Sequence, residues 1–392
     1  MLWLKGAGLA GALVLFAACG DSHKPAAPAA PKASAGFLPG QVSFGVLAPL
    51  SGPHGERGRD LVDGARMAVA DLNVRGGVNG QKVGIVAEDD GCEASAGRAG
   101  ARRLRDREIA GALGGICAGA AGAAARTLGT GLPFLVTSAN APGIVSARRT
   151  PTAYLTSGTP YQSALATVHW LAYRTAQRLA VVTEDDRASR YLGEQVLGLS
   201  APAPKPVSEQ AVPAGTSDWD TTVKAALAGE PDTVYWAGSA AGGGSLLAAL
   251  RAEGYEGAFV ASEESESPEF LSAAGEAAEG AFVIAPASPQ NLPAAADWTA
   301  RFTKKFGRPP GRDALQAYEG LRALAYAVQQ SGKVDPERNA AELVGLDEGY
   351  TTFLGGPALQ FASDHTIKFD TNIALTVSGG EFTVADLLRS ES

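Results

Sequence analysis

Adjacent carboxylates stand at Asp89-Asp90 and Asp185-Asp186, where they could imitate the acid/base pairs of a hydrolase. Each pair follows a β-rich run, and neighbours on a strand end point to opposite sides, so both read as solvated turns. The four histidines, His23, His54, His169 and His365, are scattered without the spacing of a zinc motif. No GxSxG elbow, no GxxxxGK[ST] loop and no strand-associated GxGxxG occurs. An enzyme, a metal centre and a cofactor are therefore not expected. Three cysteines remain, Cys19, Cys92 and Cys117, one at the end of a leader and two in the body. That is the count for one modified cysteine plus one disulfide in an oxidising compartment, the alternative being three free thiols in a cytosolic protein.

The chain has 392 residues, more than one ordinary core accommodates, so two or three domains are expected. Hydrophobic residues make up 45% and charged residues 19%, a globular composition. The formal net charge is −8 and no basic run follows the leader, which argues against nucleic acid as a partner.

Met1 to Ala18 carries one positive charge, Lys5, followed by an apolar run from Gly6 that is too short to span a bilayer comfortably. It has the length of a signal-peptide apolar region. It ends Phe16-Ala17-Ala18-Cys19-Gly20, which resembles the lipobox of bacterial lipoproteins, with Phe16 where leucine is usual. The resemblance implies a signal peptide over 1–19 and acylation of Cys19; an ordinary cleaved signal is the alternative. Residues 20–40 are rich in Pro, Ala and Ser and form an extended spacer. A lipid followed by a spacer suits a domain that stays near a membrane yet reorients.

The body must position any site through alternating strands and helices. Strands are expected over 41–47, 82–87, 110–116, 132–137, 178–183, 233–236, 258–261 and 280–285. Helices are expected over 60–73, 94–107, 118–128, 162–174, 189–198, 219–228, 245–253 and 313–331. Such alternation, repeated twice, argues for two α/β lobes with parallel sheets covered on both faces. Ligands in such sheets bind beyond the carboxyl ends of the strands.

Val46-Leu47-Ala48-Pro49-Leu50-Ser51-Gly52-Pro53 after the first strand resembles the opening of the leucine/isoleucine/valine-binding family of periplasmic solute-binding proteins. Asp63-Gly64-Ala65-Arg66, Asp71-Leu72-Asn73, Gly76 to Gly80 and Glu88 to Cys92 continue the pattern, as do Gly114-Gly115-Ile116-Cys117, Ala277 to Gly280 and Ala317-Tyr318-Glu319. The resemblance runs from about Gln41 to the C-terminus. It implies the type I fold: two doubly wound parallel-sheet lobes joined by three crossings, with the ligand between them. The lobes are placed at 41–159 plus 286–355 and at 160–285 plus 356–392. Cys117 matches the family's second cysteine, which implies a structural disulfide with Cys92 worth about 3 kcal/mol in the chain-entropy model.

Family members hold an amino acid by its two charged ends, and the resemblance carries that arrangement over in part. The carboxylate end corresponds to the turn Cys117-Ala118-Gly119-Ala120-Ala121, where the expected hydroxyls are alanine or glycine, and to Thr137-Ser138-Ala139-Asn140-Ala141, which keeps Ser138 and Asn140. Backbone donors survive these changes and side-chain donors do not. The ammonium end corresponds to Glu263, whose alternative is a solvated acidic turn with Glu264. Arg57 either pairs an anionic ligand or is solvated. Tyr161, Gln162, Ser189, Tyr191, Trp236 and Ser239 are further cleft candidates, each aromatic being as readily core as cleft. The ligand implied is an amino acid, an amide or another amino-acid-like molecule, or a larger hydrophobic compound. The partners implied are an ABC importer's permease and ATPase subunits, with the membrane reached only through the lipid. A monomer on the outer face of the cytoplasmic membrane, in the periplasm, is expected. A sensor that signals to a membrane receptor is the second function class.

Overall fold

The computed structural model describes residues 40–344, 360–368 and 372–388. The leader, the Cys19 motif and most of the spacer lie outside the described residues. Among those described, no helix is long and apolar enough to cross a membrane.

The first sheet has five parallel strands in the order β2-β1-β3-β4-β5. They are β1 (Gln41–Ala48), β2 (Lys82–Asp89), β3 (Ala112–Gly114), β4 (Phe134–Val136) and β5 (Ala153–Leu155). Helices α1 (Gly55–Val74), α2 (Ala94–Arg105) and α3 (Ala118–Leu128) connect the first four strands. This is a doubly wound order whose direction reverses between β1 and β3, so the loops after those two strands flank a ready-made crevice. β1 is buried along nearly its whole length, Phe44, Val46 and Leu47 included, as a strand covered on both faces must be.

The second sheet follows α4 (Pro160–Tyr173) and runs β7-β6-β8-β9-β10-β11-β12 in space. Its strands are β6 (Arg178–Glu184), β7 (Lys205–Val212), β8 (Thr233–Ala237), β9 (Ala258–Ala261), β10 (Phe282–Pro286), β11 (Asn372–Ser378) and β12 (Glu381–Asp386). Helices α5 (Arg187–Leu199), α6 (Asp220–Leu227), α7 (Ala240–Ala252) and α8 (Pro268–Ala274) link them. The first five strands in that spatial order are parallel, while β11 runs antiparallel to both β10 and β12. Strands β5, β7, β11 and β12 lie outside the runs expected from the sequence. The β11–β12 hairpin turns on Gly379 and Gly380, both at positive φ, which is the backbone that a two-residue primed turn demands.

Between β10 and β11 the chain forms α9 (Ala296–Phe306), α10 (Arg312–Ser331) and α11 (Pro336–Val344). Helix α10 packs along α1, close enough that a Cβ on Gly64 would sit 2.0 Å from the carbonyl oxygen of Ala314. Residues 360–368 lie against the edge of the first sheet: Thr366 bridges to Leu155, and the His365 ring stacks on Tyr154 with centroids 4.5 Å apart. The segment expected as second lobe, 356–392, thus has its 360–368 stretch beside the first sheet. Of the three crossings that the resemblance implies, the last is not covered by the described residues.

Cys92 and Cys117 form a disulfide with Cα atoms 5.2 Å apart. It ties the end of β2 to the start of α3. Neither Asp89 nor Asp90 is a solvated turn residue, contrary to the reading of that pair. Asp89 accepts hydrogen bonds from the backbone N–H groups of Leu50 (2.8 Å) and Gly91 (2.8 Å) and from Ser51 Oγ (2.6 Å). It therefore pins the β1–α1 loop. Asp90 is fully buried and accepts from the Cys92 N–H at 2.9 Å, while its Oδ2 has no hydrogen-bond partner among the described residues. Asp185 does behave as expected: it is more than half exposed and pairs with Arg190 at 3.1 Å.

Candidate functional site

A cleft of about 760 Å³ opens between the loops at the carboxyl ends of the two sheets. On the first-sheet side it meets the start of α1, the start of α3, the loop after β4 and the start of α10. These supply Arg57, Ala118, Ser138, Asn140, Arg312 and Asp313. On the second-sheet side it meets the segment after β9, with Glu263, Glu264 and Glu266, and Phe382 from β12. Ser288, Gln290 and Asn291 come from the crossing that follows β10.

At α3 and the loop after β4 the first-sheet side offers mostly backbone. Helix α3 starts at the cleft with Ala118 and Gly119 exposed, and its own bonding begins with the Ala121 N–H on the Cys117 carbonyl at 2.8 Å. The N–H groups before Ala121 have no helical acceptor, and with the helix dipole they favour an anion. Ser138 Oγ is buried without a hydrogen-bond partner among the described residues and lines the same wall. Backbone N–H groups with one or two side-chain donors can hold a carboxylate or an amide oxygen.

The other end is built on charge. Arg57 grips Asp313 with both arms, Nε to Oδ2 at 2.7 Å and Nη2 to Oδ1 at 3.1 Å. Burial alone would lower the guanidinium's pKa, but the hydrogen bond and charge of Asp313, with Glu264 and Glu263 nearby, hold it above its ordinary value. Arg57 is thus engaged by Asp313 while its side chain stays more than half exposed. Arg312 reaches across the cleft, Nη1 to Glu263 Oε2 at 3.2 Å and Nη2 to Glu266 Oε2 at 3.3 Å. Its position is set from behind. Asp60 of α1 accepts from the backbone N–H groups of Gly311 (3.0 Å) and Ala314 (2.9 Å) and so caps α10. A Cβ on Gly311 would stand 2.8 Å from Asp60 Oδ2, so a side chain there would have to shift the capping carboxylate.

Burial pushes the Glu266 carboxyl up from its ordinary value, against the opposing charge of Arg312 and hydrogen bonds from Asn291 and Ser288. Glu264 is also pushed up, first by burial and then by the neighbouring Glu263 charge. Four carboxylates and two guanidiniums therefore share the lining, and three of the four acids are in ion pairs.

Of the sequence-derived candidates, the cleft brings together Arg57, Ala118, Ser138, Asn140 and Glu263. Gly119 lies one residue outside its lining, at the exposed first turn of α3. Tyr161, Gln162 and Tyr191 line a different cavity of about 730 Å³, formed with residues 141–149 and 362–368. Ser189 sits in the first turn of α5, where its N–H bonds the capping Asp186 at 3.1 Å. Ser239 caps α7, bonds Glu184 and lines a smaller depression that shares Glu263 and Arg312. Trp236 is fully buried in the core, so its indole is structural. Arg312, Asp313 and Glu266 were missed. The available signal was the pair Arg312-Asp313 opening a long helix, a place where charges ordinarily read as solvated. His54 lies near both sulfurs of Cys92 and Cys117, a proximity its sequence position did not suggest.

A family model described as periplasmic binding protein matches residues 41–381. The Leu/Ile/Val-binding protein of Escherichia coli (strain K12) is 28% identical over 293 residues, which cover 74% of this chain and 80% of that protein. Among solved structures, an ABC transporter substrate-binding protein from Desulfitobacterium hafniense in complex with Leu shares 21% identity at a TM-score of 0.71, covering 87% of this chain and 99% of the other. A solute-binding protein from R. palustris in complex with benzoate shares 18% identity at a TM-score of 0.66, covering 89% and 97%.

Proposed function

Because this chain belongs to the periplasmic binding proteins of type I, in the leucine/isoleucine/valine-binding family, and is a solute-binding protein rather than an enzyme, we propose that it captures an amino acid, an amide or a similar small molecule between its two lobes and delivers it to an ABC importer. The observation that carries the reading is the cleft itself. Backbone and neutral donors (the α3 start, Ser138, Asn140) line its first-sheet side, and the acids that follow β9 line the opposite side. A molecule with an acidic or carbonyl end and a polar far end contacts both lobes at once.

Such a ligand favours closure, because only contacts that differ between the open and closed forms shift their balance. The three crossings confine the motion to a hinge. In this reading the first lobe comprises 41–159 plus 286–355, with 360–368 docked on it, and the second lobe the remainder of the body. Cys19 carries the lipid, and 20–40 is the spacer that holds the body outside the cytoplasmic membrane. Six charged side chains in the lining argue against the larger hydrophobic compound among the expected ligands.

A thermal-shift screen of the purified chain against amino acids, their amides, aromatic acids and short peptides tests the proposal. A true ligand raises the melting temperature by linkage, about 4 kcal/mol of stabilisation at a thousandfold excess over Kd. If no compound in any class shifts the transition, the proposed ligand range is wrong.

A further inference from the structure

Glu263, one of the acids that line the cleft, is already paired. Arg312 comes from the start of α10, which packs on α1 beside the first sheet, and its partners Glu263 and Glu266 follow β9 of the second sheet. The guanidinium therefore crosses the cleft. It is a tethered cation, held in place by the Asp60 cap at Gly311 and Ala314 and by the Arg57–Asp313 pair beside it. A tethered group acts at a high effective concentration that a free ligand must match. An ammonium arriving at Glu263 meets an acid that is partly neutralised and a positive neighbour that repels it.

We infer that Arg312 is a specificity-determining residue, a built-in counter-cation that weakens the cleft's preference for an α-ammonium and admits ligands with a neutral amide, or no amine, at that end. The inference rests on the proposed reading of this cleft as the ligand site. It requires three arrangements, all present. Arg312 bridges the two sides of the cleft. Glu263 and Glu266 are the acids it bridges to. Asp313 is occupied by Arg57, so it does not draw Arg312 away.

The test compares leucine with isocaproate, which keeps the carboxylate and side chain of leucine but lacks the amine. Calorimetric affinities are measured for the full-length chain in mild detergent and for its Arg312→Gln, Arg312→Ala and Arg312→Lys variants. The wild-type chain is expected to favour leucine over isocaproate by less than about tenfold. In Arg312→Gln and Arg312→Ala the freed acid raises that ratio by about ten- to a hundredfold, the range of a charge-assisted hydrogen bond. Arg312→Lys keeps the charge and stays near wild type. Two neutralising variants are used so that one that fails to fold does not decide the matter. A large leucine preference in the wild type, or a ratio unchanged by removing Arg312, overturns the inference while leaving the cleft as the ligand site. Equal loss of both ligands also overturns it, because Arg312 would then be holding the carboxylate. If neither compound binds any of the four proteins, the reading of the cleft as an amino-acid-type site fails, and the inference falls with it.

Discussion

The two walls of the cleft are made of different materials. The first-sheet wall at α3 and the loop after β4 presents backbone N–H groups, alanines and two neutral side chains. The second-sheet wall presents three glutamates within four residues, two of them bound to an arginine that comes from the other side. A backbone wall tolerates substitution of its side chains, because its donors belong to the fold. A charged wall depends on which ions are paired. The first wall should therefore fail when its scaffold fails, and the second when a single charge is removed.

The largest expected effect is on the scaffold. Gly64→Val should cost about 3 kcal/mol or more, since any Cβ at this position collides with the Ala314 carbonyl and must push α10 off α1. Urea unfolding would show a lowered midpoint, and ligand binding should be lost with it. Reducing the Cys92–Cys117 bridge should cost about 3 kcal/mol, read as a drop in the midpoint on adding a reductant.

A smaller effect concerns pH. Burial, reinforced by Asp89 and opposed by the Cys92 N–H, pushes the Asp90 carboxyl up to about 6. Between the ordinary carboxylate value of about 4 and that value, the folded chain holds a proton that the unfolded chain has lost, so this group's stabilisation falls as pH rises through the window. Asp90→Asn should remove that slope and raise stability at neutral pH by about 2 kcal/mol, measured as urea midpoints across the range. Asp89 works in the opposite sense. Burial alone would raise it, but Ser51 Oγ and the backbone N–H groups hold it below its ordinary value. Its contribution is present above that value and is lost on further acidification. The smallest effect is Ser138→Ala, which should weaken ligand binding by less than about 1.5 kcal/mol by calorimetry if backbone donors carry the first wall. A loss several-fold larger would mean the wall is built on side chains after all.

What the sequence disclosed followed from local pattern. The 3.6-residue periodicity located most of the helices, short β-rich runs most of the buried strands, and the family-like motifs led to Cys92–Cys117 and Glu263. The β11–β12 hairpin carries a turn signal in Ser378-Gly379-Gly380-Glu381, but the runs on either side are short and mixed in polarity. The ion pairs had none. Arg57 and Asp313 are 256 residues apart, and only the packing of α10 on α1 brings them together. Tyr161, Gln162 and Tyr191 line another cavity; in sequence a polar side chain beside a loop reads identically on either side of a hinge.

Whether the ligand sits in the cleft between the two walls is tested most directly by calorimetry with the best ligand from the screen against the wild-type chain, Ala118→Trp and Tyr161→Ala. Ala118 is exposed at the cleft, where an indole fills the space without entering the core, whereas Tyr161 lines the second cavity. The account predicts that Ala118→Trp abolishes binding and Tyr161→Ala leaves it unchanged. Binding that survives Ala118→Trp but is lost in Tyr161→Ala would contradict it and move the site to the second cavity.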